Sequence, residues 1–432
     1  MRRRVVAGVL AILLTCGVML PENVVYAAEN TEVTVEDDSE TNAAETTEKE
    51  STEEKAETVT EQTESSEAIS ETERIEETED AAGITADAKN AVDETVSVDK
   101  LEEIEVTNKM KYATSGKCGD NLTWSYGSGV LTISGTGAMY DYPVYDTPSS
   151  SQCMPWYNYK SAITTVNIAE GVTTIGACAF WGCSSLTSVT TPATISTIGF
   201  GAFCDCSGLQ QVTIKAGFVG ESAFIRCTAL RTVTVGSGVT GFGISAFENC
   251  PGLTGVYISD LAAWCRIDFG GYLSNPLYGA KRLYLNDVEL TDLQIPDGVT
   301  AISDYAFGDA LSITSVTVPA SVQRIGDYAF YQCSNIRTVN LPTSGLNRIG
   351  ASAFDSCTNL GQIAIPDSVS YVGNAAFAWT PIGRVNVKQG VIEGHAFEGC
   401  GCITDVALGS GVTFIGDSAF YRCAALGTVS YG

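Results

Sequence analysis

The chain has one histidine, His395, in 432 residues, and its 24 Lys/Arg face 51 Asp/Glu, a net charge of −27. A single histidine excludes most His-dependent catalytic and zinc sites. The lack of a basic stripe removes the means to neutralise phosphates, and with it nucleic-acid binding. No Gly-x-Ser-x-Gly elbow, phosphate loop or metal-ligand set occurs, so the chain reads as a non-enzyme with no cofactor and no metal. A carboxylate pair of the glycosidase kind needs only proximity in space and leaves no motif to search for. Long apolar runs are also missing, with one exception at the N-terminus.

That exception is Val5–Leu20, preceded by Arg2, Arg3 and Arg4 and followed by Val25-Tyr26-Ala27. A basic start, a short apolar stretch and small residues before a cut are the marks of an export signal, residues 1–27, with the mature start near Ala28. The run is short for a membrane span, and none remains after cleavage. Leu13-Leu14-Thr15-Cys16 makes a poor lipoprotein box, because Thr15 precedes the cysteine. The expected location is therefore outside the cell, secreted or on the surface.

Charge is unevenly spread. Residues 28–107 hold 28 Asp/Glu against 5 Lys/Arg, a net of −23, whereas residues 108–432 hold 22 against 16, a net of −6. The first stretch is Glu, Thr, Ser and Ala with almost no large apolar side chains, too little to offset the entropy of ordering. It is expected to be a disordered, self-repelling stalk.

The C-terminal part of the chain is repetitive. Ala-Phe recurs ten times, at Phe180, Phe203, Phe224, Phe247, Phe307, Phe330, Phe354, Phe377, Phe397 and Phe420. The spacings are 23, 21, 23, 60, 23, 24, 23, 20 and 23, and such a period means a solenoid. Three residues after the Phe stands Cys in eight copies: Cys183, Cys206, Cys227, Cys250, Cys333, Cys357, Cys400 and Cys423. An apolar triplet comes next, as in Leu209-x-x-Val212-x-Ile214, and then a second pair such as Val172/Ile175. The triplet predicts a short strand with inward alternate residues, stacked in parallel on its copies about 4.8 Å apart. No coil buries its Phe alone, so stability must come from neighbours.

The pattern Ala-Phe-x-x-Cys-x-x-Leu-x-x-Val-x-Ile-Pro, then Val-x-x-Ile-Gly, resembles the BspA-type (Treponema-type) bacterial leucine-rich repeats. The resemblance implies a β-rich leucine-rich repeat solenoid of about ten 20–24-residue repeats with an N-terminal β cap. It also implies a bacterial extracellular or surface protein, in a functionally mixed family whose members include adhesins. On this reading, residues 108–161 are the cap, 162–250 and 296–432 are repeats, and 251–295 are an insertion returning to register at Leu290-x-x-Leu293-x-Ile295. Thr380 and Pro381 replace the usual Cys start after Phe377, so an irregularity is expected there. Eight cysteines at one repeat position predict a column of buried thiols donating weakly to loop carbonyls rather than a disulfide framework. Cys118 and Cys153, outside the column, form a candidate pair. His395 takes a repeat position elsewhere filled by Ser or Tyr, and reads as an exposed variant.

Candidate binding residues fall in three places. In the cap, Tyr140, Tyr142, Tyr145, Trp156, Tyr157 and Tyr159 form an expected stacking platform for a sugar or a protein. In the insertion, Asp260 begins a helix, Leu283–Val288 enters a tight turn, and Trp264, Tyr272 and Tyr278 are carried on a lateral projection. On the outer face of the strands most residues are Thr, Ser or Gln, with Tyr257, Arg231, Arg337 and Arg384 as the larger side chains. The expected partner is an extracellular protein or glycan, met by protein–protein interaction and adhesion. The alternatives are a secreted or wall-associated scaffold, and a carbohydrate-binding protein using the aromatic cap.

Overall fold

The computed structural model describes residues 112–143 and 153–432. The leader at 1–27, the acidic stretch at 28–107 and Tyr145 lie outside them.

The described chain is a stack of coils whose strands run parallel, as identical apolar triplets require. The first sheet opens with an antiparallel meander, Ser115–Lys117, Leu122–Gly127 and Val130–Gly135. The last of these pairs in parallel with Thr165–Ile168, Leu131 opposite Val166, and so lays the hairpin over the open edge of the first coil. Parallel strands Ser188–Thr190, Gln211–Val219, Thr232–Phe242, Gly255–Ile258 and Leu283–Leu285 continue the sheet. It then stops. Leu283–Leu285 folds back through Asn286 and Asp287, both at positive φ, onto antiparallel Val288–Glu289. A new parallel sheet begins with Asp292–Gln294, Ser315–Thr317 and Thr338–Asn340, and the second apolar pair builds a seven-stranded sheet from Ala301–Ile302 to Thr428–Tyr431.

The core is a column of phenyl rings. Centroids from Phe180 to Phe247 lie 5.0–5.3 Å apart, and those from Phe307 to Phe420 lie 5.2–5.5 Å apart, all near parallel. The backbone stacks with them: within each run, every Phe N–H but the last donates to the carbonyl of the Ala before the next Phe, as in Phe180 to Ala202 and Phe330 to Ala353, both at 2.8 Å. The thiols point back the other way. Cys206 donates to the Phe180 carbonyl (3.1 Å), Cys333 to Phe307 (3.0 Å) and Cys400 to Phe377 (3.0 Å), with the same step at Cys227, Cys250, Cys357 and Cys423. Burial raises the thiols of Cys183, Cys206, Cys227, Cys333, Cys357, Cys400 and Cys423, Cys183 and Cys333 to about 12, so these stay protonated and poor as nucleophiles or metal ligands. Cys118 is a buried free thiol, raised by burial to about 11.

The ring column passes Phe377 undisturbed. Thr380, in the cysteine's place, donates instead to the carbonyl of its own coil's Phe377 at 2.6 Å and touches Cys400 Sγ at 3.3 Å. The irregularity falls one triplet earlier, where Leu360-x-x-Ile363-x-Ile365 is buried but forms no ladder strand.

Two tryptophans expected at the surface are core residues, and the same physical reason explains both. Trp156 is fully buried, stacks on Phe180 at 5.7 Å and donates its indole N–H to the Ala179 carbonyl at 2.8 Å. It stands 24 residues before Phe180, so it is the aromatic of a leading coil, and Ile163-x-x-Val166-x-Ile168 is that coil's triplet. Trp264, preceded by Ala263, is 1% exposed and donates to the Ala306 carbonyl at 2.9 Å. Ala179 and Ala306 each begin a run and lack the preceding Phe N–H that satisfies every later Ala. A buried carbonyl left unpaired is destabilising, and the indole N–H supplies the bond. Neither tryptophan is available as a binding platform or a projection.

Candidate functional site

Each Phe is flanked by two left-handed residues. In all ten copies the residue two before and the residue two after the Phe have φ between 47° and 70°, seventeen of the twenty being non-glycine. The chain must reverse tightly on either side of the ring to bring Phe and Cys inward, and most side chains at these turns stay at the surface, Cys178, Ser222, Asp309 and Ser352 being buried. Because Cys, Gly, Ser, Ala, Tyr and His all serve two residues before the Phe, that place is free to vary. This row of turns, rather than the sheet, carries the large aromatic side chains.

The densest group lies where the insertion meets the second run. Tyr305 and Tyr328, each two residues before a Phe, stack at 5.0 Å and 3°. Tyr331 stands edge-on to Tyr328 at 5.5 Å and to Tyr272 at 5.6 Å, and Tyr272 meets Tyr278 at 4.7 Å. Below them the buried Asp309 carboxylate accepts from the Tyr272 hydroxyl and from Lys281 Nζ (2.5 Å). Burial, then the bond to Asp309, raises the Tyr272 phenol well above its ordinary value. Burial raises Tyr305 and Tyr331 too, helped by nearby carboxylates. All three rings therefore act as neutral, amphipathic surfaces at neutral pH. Further along the same row Trp379 is exposed, with the Arg422 guanidinium 5.8 Å from its ring and 5.2 Å from that of Tyr421.

The residues singled out from sequence are dispersed. Tyr157 is half-buried under Lys160 Nζ at 4.3 Å, and Tyr159 stacks on Tyr126 at 4.2 Å while its hydroxyl donates to the Tyr112 carbonyl. Tyr140 is exposed and donates to Asp120 (2.9 Å), whereas Tyr142 is buried edge-on to Trp156. The cap aromatics thus do not form one platform. Tyr257 stacks on Tyr284 at 4.6 Å on the first sheet. Arg231, Arg337 and Arg384 are exposed on three different coils, Arg384 lying 3.4 Å from Asp405. His395 is exposed, one ring nitrogen 2.7 Å from Glu398. Tyr305, Tyr328 and Tyr331 were not among the expected residues. Their signal was the repeat phase, Tyr at one turn position in two successive copies, which the outer strand positions do not display.

No curated protein matches the chain significantly. Solved structures similar to it include a leucine-rich repeat protein of Bacteroides ovatus, 20% identical, covering 72% of this chain and 94% of that one with a TM-score of 0.40. Another is a leucine-rich repeat protein of Eubacterium ventriosum, 20% identical over 74% and 96%, with a TM-score of 0.37. A leucine-rich cell surface protein of Faecalibacterium prausnitzii is 22% identical over 74% and 96%, with a TM-score of 0.33. The family model for the BspA type leucine rich repeat region matches residues 156–264, 280–393 and 385–431 in six copies, starting on Trp156 itself. The stacked coils and this match over more than half of the sequence place the chain in the BspA-type leucine-rich repeat family, whose repeats are typically non-enzymatic binding scaffolds.

Proposed function

We propose that the protein is a secreted or surface-held binding protein that grips a protein partner with the tyrosine-rich turns of its second run, in the manner of an adhesin. The observation that carries this reading is the cluster of Tyr272, Tyr278, Tyr305, Tyr328 and Tyr331, five aromatic side chains joined edge-to-face and face-to-face at the surface. Tyrosine offers large contact area for little rotamer entropy and dominates protein contacts energetically. Ser or Gly serves the same turn elsewhere, so the fold itself does not require Tyr305 or Tyr328. The strand face, rich in Thr, carries a single stacked pair, Tyr257 with Tyr284, and no cluster of this size among the described residues.

The test is a binding screen of the full chain against purified matrix glycoproteins, glycans and bacterial wall material at several salt concentrations. Saturable binding to a matrix protein, weakened at least tenfold by Tyr328→Ala with Tyr331→Ala, is the expected result. Binding only to glycans or wall material, indifferent to those substitutions, would refute the reading.

A further inference from the structure

Several surface aromatic rings of the insertion and the second run are met by cations of the chain itself. Lys281 Nζ lies 4.9 Å from the Tyr278 ring, the Arg348 guanidinium 4.0 Å from Tyr371, and Arg422 covers Trp379 and Tyr421. The carboxylates nearby are likewise matched: Asp304 with Arg324, Asp327 with Arg348, Asp309 with Lys281, Glu398 with His395. Rings and a carboxylate are unmatched together on the turns between the coils of Phe330 and Phe354. There, among the described residues, Tyr328 and Tyr331 carry no cation and Asp355, one residue past Phe354, has no ion pair. Its bonds are from neutral hydroxyls, that of Ser356 at 2.9 Å and that of Ser352. Burial raises its pKa, and Glu398 adds to the negative field there. The carboxylates of Asp309 and Asp355 both act on the Tyr331 ring.

Resting on the reading of this surface as the binding face, we infer that Tyr328, Tyr331 and Asp355 receive a basic side chain, preferably an arginine, from an extended segment of the protein partner. A guanidinium is planar and weakly hydrated, so it lies on a tyrosine face while pairing with a carboxylate beside it. Such a contact completes the pattern that Arg348 with Tyr371 and Asp327 already makes one coil on. The chain's own acidic stretch is unsuited to the place, since its 28 acids and 5 bases would be repelled by the same field.

The experiment uses the full chain and a fluorescent peptide alternating arginine with glycine, read by anisotropy, with a glutamate–glycine peptide as control. The arginine peptide is expected to bind, and Asp355→Asn or Tyr331→Leu to weaken it about fivefold each. Asp297→Asn, which removes one charge at an exposed site elsewhere, is expected to change it less than about twofold. Equal weakening by Asp297→Asn would mean diffuse attraction to an acidic protein and would overturn the inference, as would indifference to both substitutions at the site. Circular dichroism of each variant confirms that the coils remain folded. A protein partner lost on Tyr328→Ala with Tyr331→Ala, yet indifferent to Asp355→Asn and not displaced by the arginine peptide, would overturn this inference and leave the binding face standing. A partner indifferent to all of these would overturn both.

Discussion

The run of coils led by Trp156 and the run led by Trp264 have the same interior and different surfaces. Both begin with an indole N–H on an alanine carbonyl, both stack phenyl rings about 5 Å apart, and both thread their thiols onto phenylalanine carbonyls. On the turns they part. In the first run Asp205 accepts from Trp181 Nε1 at 2.8 Å and is held by Arg226 through two bonds of 2.6 Å, so the polar groups there satisfy one another. In the second run Asp309, at the same turn position, is likewise paired, by Lys281, but tyrosines crowd the row beside it and Asp355 has no ion pair among the described residues. The interior is held alike because every coil must fit the next, whereas a turn residue answers only to its own backbone conformation. Divergence between runs is therefore informative about binding, and uniformity about folding.

The largest effect that would break the comparison is removal of a ring from either column. Phe224→Ala and Phe330→Ala each remove a fully buried ring stacked on both sides, and each is expected to lose about 3–5 kcal/mol in urea unfolding. A loss below about 1 kcal/mol in one run only would show that the interiors differ after all. Next come the leading tryptophans. Trp156→Phe strands the Ala179 carbonyl and is expected to cost about 1–3 kcal/mol. Trp264→Phe is expected to cost less, because Asn275 Nδ2 still reaches the Ala306 carbonyl at 3.3 Å. The reverse order would mean that the indoles serve packing rather than the carbonyl.

The two carboxylates sharpen the contrast through pH. Burial by itself would raise Asp205, but the bonds from Arg226 and Trp181 and the Arg226 charge outweigh it and hold the carboxyl below its usual range. Its stabilising contribution is present above the unfolded value and disappears as pH falls through the depressed folded one. Asp355 is raised, by burial first, so its sign is opposite: the favourable state lies below the unfolded value and is lost as pH rises through the folded one. At neutral pH Asp205→Asn is thus expected to destabilise by about 1 kcal/mol after allowance for its partial exposure, with melts converging toward wild type in acid. Asp355→Asn is expected to stay within about 0.5 kcal/mol of wild type or to gain slightly. The smallest effect is at the turns themselves. Ala375 has φ +52°, and Ala375→Gly is expected to stabilise by about 0.5 kcal/mol, the relief of left-handed strain less the extra chain entropy of glycine, detectable as a small rise in Tm.

The Phe and Cys columns are legible because they repeat: one chemical demand recurs in ten coils at a fixed period, and no single substitution hides it. The two tryptophans read as binding groups in the sequence because Trp suits an interface as well as a core. The cues to their real place, the 24-residue step from Trp156 to Phe180 and the Ala263-Trp264 pair, lie outside the ten Ala-Phe copies. The left-handed turns are invisible there, since Ser, Tyr, Arg and Gln carry no signal for positive φ.

The sequence by itself determined the solenoid, its period and its columns of buried Phe and Cys, because hydrophobic periodicity is a local pattern that a stack of identical coils satisfies. Only the tertiary structure decided where the surface is chemically unfinished. Tyr272 and Tyr331 are far apart along the chain and meet because the insertion folds back beside the second run. Whether a ring or a carboxylate is matched by a cation depends on the coil beside it, a relation across space that no local pattern encodes.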